Sequence, residues 1–221
     1  MPSPDAILTG LGEVANQWRA LAVAWHAVLG TMLIGFVRGW RPSHRAAGLF
    51  LSTPLLSVSI AAWASGNGFN ATMFAGLFAS LIILAKGLSA DRVHLASSIH
   101  LVSGSLLGML GWVYPHFLES DSWLAYTYAA PLGILPCPTL AAVIGATLIL
   151  RLFTARRWTL TLAIAGMAYG IVGAFILAVP LDYVLLAGSF WLARAAVLAE
   201  RDAERRKRWL RRLRAYGQRA Q

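Results

Sequence analysis

The chain has 221 residues, of which 58% are hydrophobic and only 13% are charged. Soluble domains carry roughly 25% charged residues, so a water-soluble globule, a disordered chain and a disulfide scaffold are excluded; the composition is that of a polytopic membrane protein. The net charge of +10 is no nucleic-acid signal, because nine of the 19 basic residues fall in the last 21 positions and most others lie in short loops. Membrane proteins place Lys and Arg in this way to set their orientation.

Residues 1–19 are polar to amphipathic. Ile7, Leu8, Leu11, Val14 and Trp18 recur at helical spacing, which predicts an interfacial amphipathic segment. Asp5 and Glu13, with no basic residue among the first 18, do not fit a secretory signal. Residues 20–199 read as an all-α polytopic transmembrane helix bundle. Spans are expected near 20–37, 46–63, 69–85, 94–114, 124–150, 158–179 and 183–199. Arg38, Arg41 and Arg45 follow the first span, Lys86 and Arg92 the third, and Arg151, Arg156 and Arg157 the fifth. The alternate connections carry no Lys or Arg, and Arg19 alone lies on their side. By the positive-inside rule this predicts seven spans, N-terminus outside and C-terminus inside. The number falls to six if segment five does not cross.

Small residues mark helix contacts. Span four carries Gly104-x-x-x-Gly108 with Gly111, and span six carries Gly166-x-x-x-Gly170 with Gly173. Glycine at this spacing lets two backbones approach, which predicts that spans four and six occupy the middle of the bundle.

Segment five is long and interrupted. Pro136 and Pro138 flank Cys137, the one cysteine. Each proline removes a donor and disfavours helix in the residue before it, yet suits the first turn of a new helix. A helix is therefore expected to begin near 137–139, with Thr139 placed to cap it. From Cys137 to Arg151 is about 21 Å of helix against a hydrocarbon core of about 30 Å. Cys137 is thus expected roughly 10 Å below the outer face. Irregular backbone at that depth is tolerated only inside protein or beside water, and broken helices of this kind hold ligands in transporters. A proline kink that merely shapes packing is the competing reading.

Pro136-Cys137-Pro138-Thr139, with Gly145 six residues after the threonine, resembles the Pro-x-Pro-Thr motif of a bacterial family of integral membrane proteins of unknown function. Asn70-Ala71, Phe74-Ala75 and Phe78 match an earlier motif of that family. Its usual Tyr-Asn before a tryptophan is replaced here by Ala15-Asn16-Gln17-Trp18. The resemblance implies a multi-pass protein of the bacterial cytoplasmic (inner) membrane. Some members are labelled permeases, and no established activity comes with it.

Intramembrane polar groups are functional candidates by default. His26 is expected about 9 Å below the outer face, at the depth of Cys137. Asn67 and Asn70 begin span three on the same side. His26, Asn67, Asn70, Cys137 and Thr139 are the candidate substrate-binding residues of an outward vestibule, with His116, Glu119, Asp121 and Asp182 just outside. The competing reading is a histidine bonded to a backbone carbonyl and solvated loop residues. His26, Cys137, Met32 and Met73 make no recognised ligand spacing, so no metal or cofactor is expected. His100 is expected to bond Ser97, Ser98, Ser103 or a neighbouring helix, and Arg194 to snorkel.

Residues 200–221 read as a basic amphipathic cytoplasmic tail continuing the last helix. Arg205, Arg206, Arg208, Arg211 and Arg212 surround a stripe of Trp209, Leu213 and Tyr216. Such a tail anchors to an anionic inner leaflet or is a solvated helix end. No catalytic triad, HExxH or phosphate loop is present, so an enzyme is not expected. Two functions lead, with a membrane enzyme that uses a Cys-His pair as a third reading. One is a small permease or channel-like carrier with its site near the Pro-Cys-Pro break. The other is a non-catalytic accessory or assembly subunit of a larger membrane complex. The expected partners are the bilayer and other membrane subunits, with no nucleic acid.

Overall fold

The computed structural model describes residues 3–219 and is helical throughout its ordered elements. Helix α1 (Pro4–Gln17) is capped by the Ser3 hydroxyl and followed, after Trp18, by α2 (Arg19–Val37). Then come α3 (His44–Ala64), α4 (Gly68–Lys86) and α5 (Ser98–Val113). A four-residue α6 (Tyr126–Ala129) precedes α7 (Pro136–Ile149), α8 (Arg156–Ile171) and α9 (Asp182–Arg219). Five helices are long and apolar enough to cross a membrane: α2, α3, α4, α9 and α8 with its extension to Ile176. α5 and α7 are shorter apolar helices.

The fourth apolar segment becomes helical later than its hydropathy suggests. Residues 88–97 run as a loop, tied by Val93 N–H to Pro42 O and by Ala96 N–H to Ile149 O. Segment five does not form one helix. α6 is a single turn, residues 130–135 are buried irregular chain, and α7 is the one extended helix of the segment. α8 ends in a π-helical turn, Val172–Ile176, before Ala178 at φ +53° and Pro180 stop the helix.

The middle of the bundle is α7, not the pair expected from the glycine stripes. α3, α5, α8 and α9 all pack on it, and ten of its 14 residues are buried. The stripes make the crossings around it. A Cβ on Gly104 would meet Gly145 O, and one on Gly111 would meet Pro138 O and Ala142 N at 2.6 Å or closer. Gly145 presses in return on the Gly108 backbone, whereas a Cβ on Gly108 itself meets nothing within 4 Å. On α8, Gly166, Gly170 and Gly173 face Ser189, Leu186 and Asp182 of α9 in antiparallel register. These are close backbone approaches that only small residues permit.

In α3, Pro54 lacks an N–H for Phe50 O, and the Thr53 hydroxyl donates to that carbonyl at 2.6 Å instead. This explains an unbroken helix with an internal proline. α2 behaves differently. It makes its main contact with α6, and only Ala22 and His26 along it are buried.

The basic connections gather at one end. Residues 42–44 bond residues 91–93, residue 96 bonds residue 149, and Arg156 pairs with Glu200 at 3.3 Å. α9 continues without a break through the basic tail. Arg205, Arg206, Arg208 and Arg211 are exposed there, while the side chains of Arg212, Leu213 and Tyr216 lie outside the described residues.

Candidate functional site

Four helix ends meet at the opposite end of the bundle. Tyr114 terminates α5, Cys137 lies in the first turn of α7, the π-helical turn ends α8, and Asp182 begins α9. Asp182 is 2% exposed and Tyr114 1%. The Tyr114 hydroxyl donates to Asp182 Oδ1 at 2.7 Å. The Cys137 thiol faces the same carboxyl group, and His116 stands near enough to act on it electrostatically. Gly173 makes this possible, since a Cβ there would collide with the Asp182 carboxyl oxygen. The π-turn thus brings a glycine to the one place where the carboxyl needs room; such turns recur at functional sites.

Among the described residues, no Lys or Arg pairs with Asp182. The ion pairs among the described residues are Arg156–Glu200 and Arg208–Glu204, both toward the basic end. A carboxyl enclosed in protein without a cation depends on hydrogen bonds, or on a proton or cation that it takes up.

A second polar contact lies alongside. The Tyr169 hydroxyl donates to Asn70 Oδ1 at 2.9 Å, joining α8 to α4, and Tyr169 also neighbours Cys137. Asn67 is exposed and serves as the N-cap of α4, accepting from Asn70 N–H at 3.0 Å.

The other expected site residues have structural partners. His26 is buried with Nδ1 2.8 Å from Ala22 O and Nε2 2.9 Å from Trp112 O, its ring edge-on to Trp112. It ties α2 to the end of α5, and Cys137 is not among its partners. Thr139 does not cap α7. Leu135 is the N-cap and Pro136 the first helical residue, so Thr139 falls one turn in. Its hydroxyl donates to Leu135 O at 2.7 Å and accepts from Gly133 N–H at 2.9 Å, pinning the turn that precedes the helix. Gly133 has φ +76°, and a Cβ there would run into Trp25, so α2 rests on this turn.

Asp182 and Tyr114 belong to the centre although the sequence reading put Asp182 in solvent and gave Tyr114 no role. Asp182 follows a Pro-Leu turn, which reads as solvated. The available signal was Gly173, whose spacing extends the stripe one turn toward that turn. Glu119 and Asp121 are exposed. The His100 side chain does not bond a serine, although Ser103 Oγ donates to the His100 backbone carbonyl at 3.4 Å; its Nδ1 has no partner among the described residues, and the ring packs between Phe153 and Trp191 at 4.6 and 5.7 Å. The Arg194 guanidinium lies over the Trp191 ring at 5.1 Å. Among the described residues, no three His, Cys, Asp or Glu side chains gather as a metal site. Comparison with family models, with curated proteins and with solved structures finds no match for this chain.

Proposed function

We propose that the chain is a small carrier of the bacterial cytoplasmic membrane, with the Asp182–Tyr114–Cys137 centre as its coupling site. It is read as a seven-span, non-enzymatic protein, with the N-terminus outside and the C-terminus inside. The single observation behind the carrier reading is a buried carboxyl, paired with no Lys or Arg among the described residues, where four helix ends converge. Intramembrane acids of this kind mark ion and proton pathways. Helix ends at membrane depth supply the free backbone groups that solutes use. The gathering of basic loops at the far end supports the orientation, because cytoplasmic loops carry the Lys and Arg excess. The tail arginines Arg205, Arg206, Arg208 and Arg211 would then face the anionic inner leaflet.

Cys137 is the sole cysteine and is partly exposed, so it reports on the centre without background. A small, charged, membrane-impermeant thiol reagent is expected to label Cys137 from outside in intact cells. Asp182→Asn is expected to change the labelling rate several-fold, since the carboxyl faces the thiol. A thiol that resists the reagent until denaturation overturns the carrier reading. The accessory-subunit reading, which draws on the exposed apolar faces of α2, would then be preferred. Reporter fusions at both termini test the orientation, and two ends on the same side refute it.

A further inference from the structure

We propose that the groove between α2 and the α3–α5–α7 face binds one anionic phospholipid, with an acyl chain along the groove and the phosphate at Arg41. The groove encloses about 620 Å³, within the size range of small-molecule sites. α2 forms one wall through Met32 and Phe36, and the other wall carries Pro54, Gly108, Met109 and Ala146. Its length runs from Leu150 and Arg41 at the basic end to Trp112 and Thr139 near the opposite end.

Three observations select this occupant. The first is shape. The small residues Gly108, Ala142 and Ala146 hollow out the inner wall, and the space off Gly108 is empty to 4 Å. Leu33, Val37 and Met109 at the rim are exposed, so the groove opens sideways along the helices, where a bilayer presents hydrocarbon. Water does not fill an apolar space of this kind.

The second is charge. Arg41 is the one charged residue in the lining. Its Nη1 donates to Phe36 O and, at 2.9 Å, to Trp40 O, and its guanidinium lies 5.9 Å from the Phe36 ring centroid. The head group is therefore held in place by the end of α2. Among the described residues, Nε and Nη2 make no hydrogen bond and no carboxylate pairs with the side chain. A fixed, planar guanidinium with free donors suits a phosphate, which it binds through two parallel hydrogen bonds.

The third is level. Arg38 at the end of α2 and Arg45 in the first turn of α3 flank Arg41, and the other basic loops lie at that end. A lipid chain rising from there has its phosphate where the basic charge is and its tail where the lining is apolar. Neither end would match in the reverse orientation. The assignment involves none of Asp182, Tyr114 or Cys137, so it stands apart from the carrier reading.

The test titrates the delipidated full-length protein in detergent with phosphatidylglycerol or phosphatidylcholine and counts retained lipids by native mass spectrometry. Wild type is expected to retain one phosphatidylglycerol per chain about tenfold better than phosphatidylcholine, because both lipids offer Arg41 a phosphate but the choline cation of the second cancels its net charge and is repelled by the guanidinium. Arg41→Gln should abolish the preference, whereas Arg38→Gln, outside the lining, should keep it. Gly108→Phe should exclude both lipids by filling the groove. The Arg41 comparison decides the matter by itself if Gly108→Phe yields little folded protein. Equal retention of the two lipids by wild type, an Arg41→Gln protein that keeps the preference, or a second copy or another polypeptide found in place of lipid would each overturn the proposal.

Discussion

The crossings around α7 and the flank occupied by α2 use the same apolar residue types to opposite ends. At α5–α7 and α8–α9, glycines bring backbones together until no side chain fits between them. Along α2 the helix leans on a turn at Gly133 and on two side-chain hydrogen bonds, His26 to Trp112 O and Trp25 Nε1 to Ser57 Oγ at 2.9 Å. Between those contacts and Arg41 it leaves a groove. In lipid, apolar burial gives helices little reason to associate, so packing geometry and polar contacts decide which helices close up. Here glycine register closes one side, and its absence on α2 leaves the other open.

The sharpest way to break that contrast is Gly111→Leu. Pro138 O and Ala142 stand where its side chain must go, and the variant is expected to lose about 3 kcal/mol or more, read as a loss of monodisperse protein in detergent. Asp182→Ala removes the acceptor for a buried tyrosine hydroxyl and should cost about 1–3 kcal/mol. Thermal unfolding checks this, and Tyr114→Phe combined with Asp182→Ala should cost less than the two singles added. Thr139→Val keeps the shape but leaves Gly133 N–H without its partner and Leu135 O with only the long backbone bond from Thr139 N–H at 3.4 Å. A loss of about 1–2 kcal/mol is expected, together with faster proteolysis near Gly133 as α2 loosens. The smallest effect belongs to Gly108→Leu. Its side chain enters the open groove, so stability should stay within about 0.5 kcal/mol of wild type. A collapse like that of Gly111→Leu would mean that the groove is closed.

Much of the helix pattern was legible in the residues. Hydropathy located the long helices, and the proline rules located the start of α7 within a residue or two. What escaped depended on partners distant in the chain. The stripe Gly104–Gly108–Gly111 treats its three glycines alike, yet only the facing helix decides that Gly108 points into open space. Thr139 had the chemistry of a cap, but Pro136 takes the first helical position and leaves Thr139 a turn too late. Asp182 reads as a loop acid because its burial depends on Gly173, nine residues earlier, and on Tyr114, 68 residues away. The groove lies where helices fail to touch, which no single segment encodes.

The unbroken α9 has a mechanical consequence. Its 38 residues make a rod of about 57 Å, nearly twice the hydrocarbon thickness of about 30 Å. If it stands along the bilayer normal, roughly 27 Å projects clear of the core. Electrostatic attraction fades over about 8 Å in physiological salt, so on an upright rod the pull of the headgroups weakens with each turn from Arg205 to Arg211 and is strengthened when the rod leans. A rod that leans at one end swings at the other, and the other end is Asp182, held between Tyr114 and Gly173. Tail and carboxyl belong to one unbroken helix, so any tilt of the charged end that the helix transmitted rigidly would be read at the buried one.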